Sequence, residues 1–232
     1  MTRREEIEQG LASVQARIDA ACADAGRSSE EITLVVVTKF FPASDVRLLA
    51  DLGVADVGEN RHQEAVDKAA ECADLDVRWH FIGGLQSNKA AAVARYADVV
   101  HSVDRAKLVN GLSRGAVERG RDLDCLVQVS LDPPDAAGRS GCDLHDVPAL
   151  VERIGEAEGL HLRGVMGVAP LDGDADQAFA RLGEIAADVR ALEPSATWVS
   201  AGMSGDLEHA VRHGATHLRI GSAVLGPRPV VK

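Results

Sequence analysis

Short apolar runs, rich in β-branched residues, alternate along this chain with longer stretches in which apolar positions recur at helical spacing. The runs read as strands: LVVVTK (34–39), VADVGEN (54–60), RWHFIG (78–83), DVVHSV (98–103), DCLVQVS (124–130), HLRGVMGV (161–168), TWVSAG (197–202) and HLRIGSAVLG (217–226). An uninterrupted apolar run such as LVVV marks a strand buried on both faces, as parallel sheets require. Between the runs, Val147, Leu150, Val151 and Ile154 repeat with helical period, and so do Phe179, Leu182, Ile185, Val189 and Leu192. Ahead of the first run, Thr2 and Glu5 stand at capping-box spacing, and Ile7, Leu11, Val14 and Ile18 follow. That pattern predicts an opening amphipathic helix, ended by Gly26.

Strict alternation of strand and helix predicts a parallel sheet with right-handed crossovers. Eight units in 232 residues give 29 residues each, the size of a βα repeat. The expectation is an α/β single-domain (β/α)8 barrel over residues 1–232, with an extra N-terminal helix. A doubly wound open sheet is the alternative, but no G-x-G-x-x-G follows the first run, which counts against a dinucleotide-binding version. No linker divides the chain. The most loop-like stretches, LDPPDAAGRSG (131–141) and APLDGDAD (169–176), follow the fifth and sixth runs, where barrel enzymes carry active-face loops.

Charge narrows the function classes. A formal net charge of -11 offers no basic face to neutralise phosphates, which argues against nucleic acid and anionic membranes as partners. Aromatic residues make up 3% of the chain, too few for base-stacking platforms. The start, MTRREEIEQG, lacks the apolar core of a signal peptide, and no later stretch approaches about 18 uninterrupted apolar residues, so a cytoplasmic location is expected. Cys22, Cys72, Cys125 and Cys142 stand far apart without a C-x-x-C pair and read as isolated thiols. His209, His213 and His217 are four apart, but Gly214 breaks the helix before the third and no acidic ligand completes the set, so no metal site is expected.

In a barrel, polar residues at the C-terminal ends of strands lie on the active face. Lys39 ends the first run. An ammonium there loses hydration and its pKa falls, making an amine nucleophile toward aldehydes; alternatively it snorkels to water. AGMSGD (201–206) places glycines around Ser204 and opens a helix, while Gly221 and Ser222 follow the last run. Bare backbone amides, a hydroxyl and a helix start suit an anion, and phosphate sites after strands seven and eight recur in this fold; ordinary tight turns are the alternative. Arg219 lies inside an apolar run and, if buried, needs acceptors, either from a ligand ring nitrogen or from a carboxylate. In WHFIGGLQSNK (79–89), Ser87 reads as an N-cap and Gln86, Asn88 and Lys89 as structural residues.

Lys39, GENRHQE (58–64), WHFIGGLQSNK (79–89), LRGVMGV (162–168), SAGMSGD (200–206) and LRIGSAVLG (218–226) together resemble, in order and over nearly the whole chain, the pyridoxal 5'-phosphate-binding proteins of the YggS/PROSC type, whose barrel is that of the alanine racemase N-terminal domain. The resemblance implies that Lys39 forms an internal aldimine with the cofactor's aldehyde. It implies that Arg219 faces the pyridine nitrogen, that Ser204, Gly221 and Ser222 hold the phosphate, and that Asn60 lines the pocket. The related racemases use a tyrosine from a second domain as their second base, whereas the only tyrosine here, Tyr96, is expected on an outer helix.

The expected function is therefore binding of pyridoxal 5'-phosphate for cofactor homeostasis without turnover, by a monomer whose recipients are apoenzymes that depend on the same cofactor. One alternative is a racemase, lyase or decarboxylase using that cofactor on a small amino acid. Another is a cofactor-free barrel enzyme in which Lys39 forms a Schiff base with a phosphorylated metabolite.

Overall fold

In the computed structural model, which describes residues 1–132, 141–171 and 173–227, each of the eight runs overlaps a strand. They are β1 (Thr33–Val37), β2 (Asp56–Glu59), β3 (Arg78–Phe81), β4 (Val99–Val103), β5 (Leu123–Gln128), β6 (Leu160–Met166), β7 (Trp198–Ser200) and β8 (His217–Ile220). Each pairs in parallel with its sequence neighbour, and β1 pairs with β8, so the sheet closes into a barrel in the order β1 to β8. Outside it lie α2 (Ala43–Asp51), α3 (His62–Glu71), α4 (Ala90–Ala94), α5 (Ala106–Arg119), α6 (Val147–Gly155), α7 (Ala175–Leu192) and α8 (Leu207–Arg212). No described helix is long and apolar enough to cross a membrane. Positions 133–140 and 172, within the two loops singled out above, lie outside the described residues.

The opening helix, α1 (Arg3–Asp24), has the expected reciprocal cap between Thr2 and Glu5, and Gly26 just beyond it takes φ 66°. It packs against one side of the barrel: Ile7, Val14 and Ile18 are buried, and Gly10 lets it press against the chain after β8. A Cβ on Gly10 would stand 2.3 Å from the Val224 carbonyl oxygen, so only glycine permits that approach.

Two sequence expectations need correction. The run at 217–226 is not one strand: β8 stops at Ile220 and Ser222–Leu225 form a short helical turn, α9. Small residues there leave little side chain to cover a sheet, and the Gly221 carbonyl instead accepts from Val224 N at 3.0 Å and Leu225 N at 2.9 Å. Ser87 is not an N-cap. It sits within a single 3-10 turn, Ser87–Lys89, where its Oγ accepts from Arg105 Nη2 at 3.4 Å.

Alternation along each strand sends one set of side chains to the helices and the other into the barrel. The outward set joins the large apolar core shared with the helices. Inside, Val99, Leu126 and Met166 form a separate small cluster against Val168 and Trp198. Polar residues occupy much of the remaining interior: His80, His101, Ser200, His217 and Arg219 are all buried. Barrel interiors are usually filled by branched aliphatics, so this polar set is a departure.

Candidate functional site

Strands β7, β8 and β1 are consecutive around the barrel, so their C-terminal ends deliver Ser204, Gly221–Ser222 and Lys39 to one edge of the mouth. A cavity of about 290 Å³ opens there, lined by Val37, Lys39, Phe40, Phe41, Ile82, Met203, Ser204, Gly205, Arg219, Gly221, Ser222 and Gly226. Its size is close to the lower end of small-molecule sites, roughly 300 Å³. Five of the six residues singled out from the sequence thus share one cavity. Asn60, after β2, is half-buried at the same end of the barrel but is not among the lining residues; its backbone packs against Gly83, where a Cβ would come within 2.1 Å of the Asn60 carbonyl oxygen.

Lys39 is half-buried on a strained turn. Phe40, the next residue, has φ 71°, a left-handed conformation that costs a bulky residue of order 1–3 kcal/mol. A buried polar cluster behind the turn holds it. Glu64 accepts the Phe40 N–H, and Lys68 Nζ lies 3.0 Å from the same Glu64 oxygen, 2.6 Å from Glu59 Oε1 and 2.9 Å from the Thr38 carbonyl oxygen. Thr38 Oγ1 donates to Glu59 Oε1 at 2.6 Å. Burial raises the Glu59 carboxyl above its ordinary pKa, opposed by the Lys68 charge and by the hydrogen bonds from Lys68 and Thr38.

The Ser204 and Ser222 side of the cavity is braced by the opening helix. Arg17 pairs with Glu208 at 2.8 Å and donates from Nη1 to the Ser204 carbonyl oxygen at 2.9 Å. Arg3 donates to Asp45 at 2.6 Å and to the Leu225 carbonyl oxygen at 3.0 Å, fixing the end of α9. Ser204 Oγ and Ser222 Oγ stand 3.5 Å apart, and the first amides of α9 have no acceptor within their own turn. Two hydroxyls and free backbone amides form a donor set for an anion.

Arg219, on β8, reaches the cavity from below and is buried. Nη1 donates to Ser200 Oγ at 2.6 Å and Nη2 to the Gly167 carbonyl oxygen at 3.0 Å. Burial lowers its pKa to about 10, with Asp206 opposing, so it is a cation at neutral pH. Two of its five N–H groups are used in these bonds.

Several residues of this arrangement escape sequence reasoning. Lys68 follows Glu64 at the i,i+4 helical spacing, a signal for their pairing. His80, His101 and Ser200 gave a weaker one, as polar residues at inward positions of apolar strands. The acidic partner missing for His209 and His213 comes from another helix: Asp176 of α7 is 3.1 Å from His209 Nδ1 and 3.0 Å from His213 Nε2.

The chain is similar throughout to known proteins. Residues 11–229 match the model of the alanine racemase N-terminal domain. A Mycobacterium tuberculosis protein named pyridoxal phosphate homeostasis protein is 46% identical over 246 residues, covering 97% of this chain and 94% of its own. An Escherichia coli protein of the same name is 36% identical, covering 98% and 99%. The structure of PipY from Synechococcus elongatus with PLP bound is 35% identical and superposes with a TM-score of 0.82 over 95% of this chain and all of that one.

Proposed function

The chain belongs to the family of pyridoxal phosphate homeostasis proteins, built on the alanine racemase N-terminal domain, and from that membership and the shared cavity we propose that Lys39 holds pyridoxal 5'-phosphate covalently, for cofactor homeostasis and without substrate turnover. The observation that carries this is the convergence of Lys39, Ser204, Arg219, Gly221 and Ser222 on one cavity of about 290 Å³.

The residues fit the group. When bound, the cofactor supplies an aldehyde that condenses with a primary amine, and a conjugated ring able to delocalise charge. Lys39 provides the amine. Ser204, Ser222 and the Gly221–Ser222 backbone take the phosphate, and Asn60 stands at the rim of the same mouth. Arg219 would face the ring nitrogen. A guanidinium beside that nitrogen keeps it unprotonated, because two adjacent positive charges repel, and this weakens the ring as an electron sink.

Support for a carrier comes from what else lines the cavity. Among the described lining residues, Lys39 is the one side chain able to act as a general base; no carboxylate, histidine or tyrosine accompanies it. Tyr96 lies just past α4, its ring stacked on His62 at 5.8 Å, away from the cavity. The chain acts as a monomer in the cytoplasm, where reduced thiols such as its four free cysteines persist, and passes the cofactor to apoenzymes.

The test is to mix loaded protein with an apoenzyme that depends on pyridoxal 5'-phosphate, and separately to screen amino acids for racemisation, elimination and decarboxylation. Recovery of the apoenzyme's activity with no turnover by the loaded protein itself is expected. Turnover that disappears in Lys39→Ala would instead make the chain an enzyme.

A further inference from the structure

A buried cation normally meets a buried anion, yet no carboxylate lies within ion-pairing distance of Arg219 among the described residues. What it meets is a chain of hydrogen bonds through the barrel interior. Arg219 Nη1 donates to Ser200 Oγ at 2.6 Å; Ser200 Oγ is 2.8 Å from His101 Nδ1; His101 Nε2 is 2.8 Å from His80 Nδ1; and His80 Nε2 is 2.7 Å from Asp56 Oδ1. Asp56 begins β2, at the end of the barrel away from the cavity, and Arg78 stands 3.7 Å from its carboxylate.

Chemistry fixes the direction of every bond. The Asp56 carboxylate only accepts, so His80 Nε2 carries a proton. Burial holds both imidazoles neutral, lowering His80 and taking His101 well below its ordinary pKa. A neutral His80 therefore accepts at Nδ1, which requires the proton of His101 to be on Nε2. His101 Nδ1 then accepts from the Ser200 hydroxyl, whose oxygen accepts from Arg219. Four consecutive bonds thus run from cation to anion with the same polarity, the arrangement in which each bond strengthens the next, by roughly 10–30% per bond. His217 is not part of the series; its ring packs against Trp198, centroids 4.3 Å apart and tilted by 35°, and its Nδ1 lies 2.8 Å from Thr216 Oγ1.

We propose that Asp56, His80, His101 and Ser200 are positioning residues that relay the Asp56 charge to Arg219, aiming its guanidinium and setting the strength of the hydrogen bond it gives to the ligand's ring nitrogen. This rests on the assignment of Arg219 to that nitrogen. A barrel interior built for packing alone would carry branched aliphatics here. The series instead specifies two tautomers and one rotamer of a serine hydroxyl, and through Ser200 it anchors one of the two terminal nitrogens of Arg219.

Two measurements test it. In the chain with 15N-labelled histidine and no ligand, nitrogen–proton correlation NMR at neutral pH should show His80 and His101 both neutral and protonated on Nε2; either ring protonated on Nδ1 overturns the relay, and this needs no variant. In protein loaded with ring-15N pyridoxal 5'-phosphate, Asp56→Asn and Ser200→Ala should each move the ring-nitrogen resonance and weaken retention about tenfold, with Ser200→Thr restoring both. If Arg219→Lys moves the resonance but Asp56→Asn and Ser200→Ala do not, the relay is wrong and the Arg219 assignment stands. If Arg219→Lys leaves it unmoved, the assignment itself fails, and the relay with it.

Discussion

Lys68 Nζ donates to the Thr38 carbonyl oxygen at 2.9 Å, one residue before Lys39. The same ammonium meets Glu59 and Glu64, and Glu64 holds the Phe40 N–H on the other side of Lys39. The nucleophile of the proposed site is thus bracketed by backbone groups that one buried ion cluster ties down, which is what keeps a non-glycine residue at φ 71°.

Lys68→Met leaves the Glu59 carboxylate, 1% exposed, without its cation. Removing one partner of a buried pair costs about 3–5 kcal/mol. Glu59 already has a raised pKa, and without Lys68 it rises further, so the loss grows as pH increases above the ordinary carboxyl value of about 4.3. Urea denaturation should show this, and the double variant Glu59→Gln with Lys68→Met should recover most of the stability; a double variant no better than Lys68→Met would show that the pair does not act as a unit.

The barrel histidines make the fold acid-sensitive. Burial lowers His80, His101 and His217, the last to about 3, so the unfolded chain takes up protons that the folded chain refuses. Stability is therefore intact above about 6.5 and falls as pH drops from there, by up to roughly 4 kcal/mol per pH unit for three such groups. Asp56, whose pKa is lowered by His80 and Arg78 against the burial that opposes them, adds a further loss only below about 3.9. Urea midpoints measured from pH 7.5 down to 5 should decline, and His217→Phe should reduce the slope by about one third; a flat profile would contradict the neutral buried state.

Gly10→Val forces α1 away from α9, since even a Cβ would stand 2.3 Å from the Val224 carbonyl. Overpacking of this kind costs about 1–3 kcal/mol. Because α9 begins at the proposed phosphate cradle, retention of pyridoxal 5'-phosphate should fall about tenfold, while Gly155→Val, with nothing within 4 Å of its Cβ, should leave retention unchanged. Equal retention in both variants would separate α1 from the cradle.

The barrel was legible because short runs rich in β-branched residues alternate with helical periodicity, and the five proposed site residues that share the cavity were legible because they lie at or just beyond strand ends, or, for Arg219, as a cation inside the last run. Asn60 shares the strand-end signal yet stands outside the cavity lining, since position along a strand does not say which way the following loop turns a side chain. The support of the site was not legible. Glu59 and Lys68 are nine residues apart on β2 and α3, joined by the turn between them, and the partners His101 and Ser200 are 99 apart, brought together only by closure of the barrel. The last run misled because SAVL is as apolar as a strand, and its helical turn depends on Gly221 and on the contact with Gly10.

The most direct measurement is the absorbance spectrum of the purified chain with pyridoxal 5'-phosphate, before and after borohydride, followed by peptide mass mapping. The chain has five lysines, at 39, 68, 89, 107 and 232, so the outcome is unambiguous. A visible band that borohydride abolishes, with the label on Lys39 alone and lost in Lys39→Ala, is the predicted result. A label on any other lysine, or no band, would contradict the assignment of Lys39 as the residue that holds the cofactor.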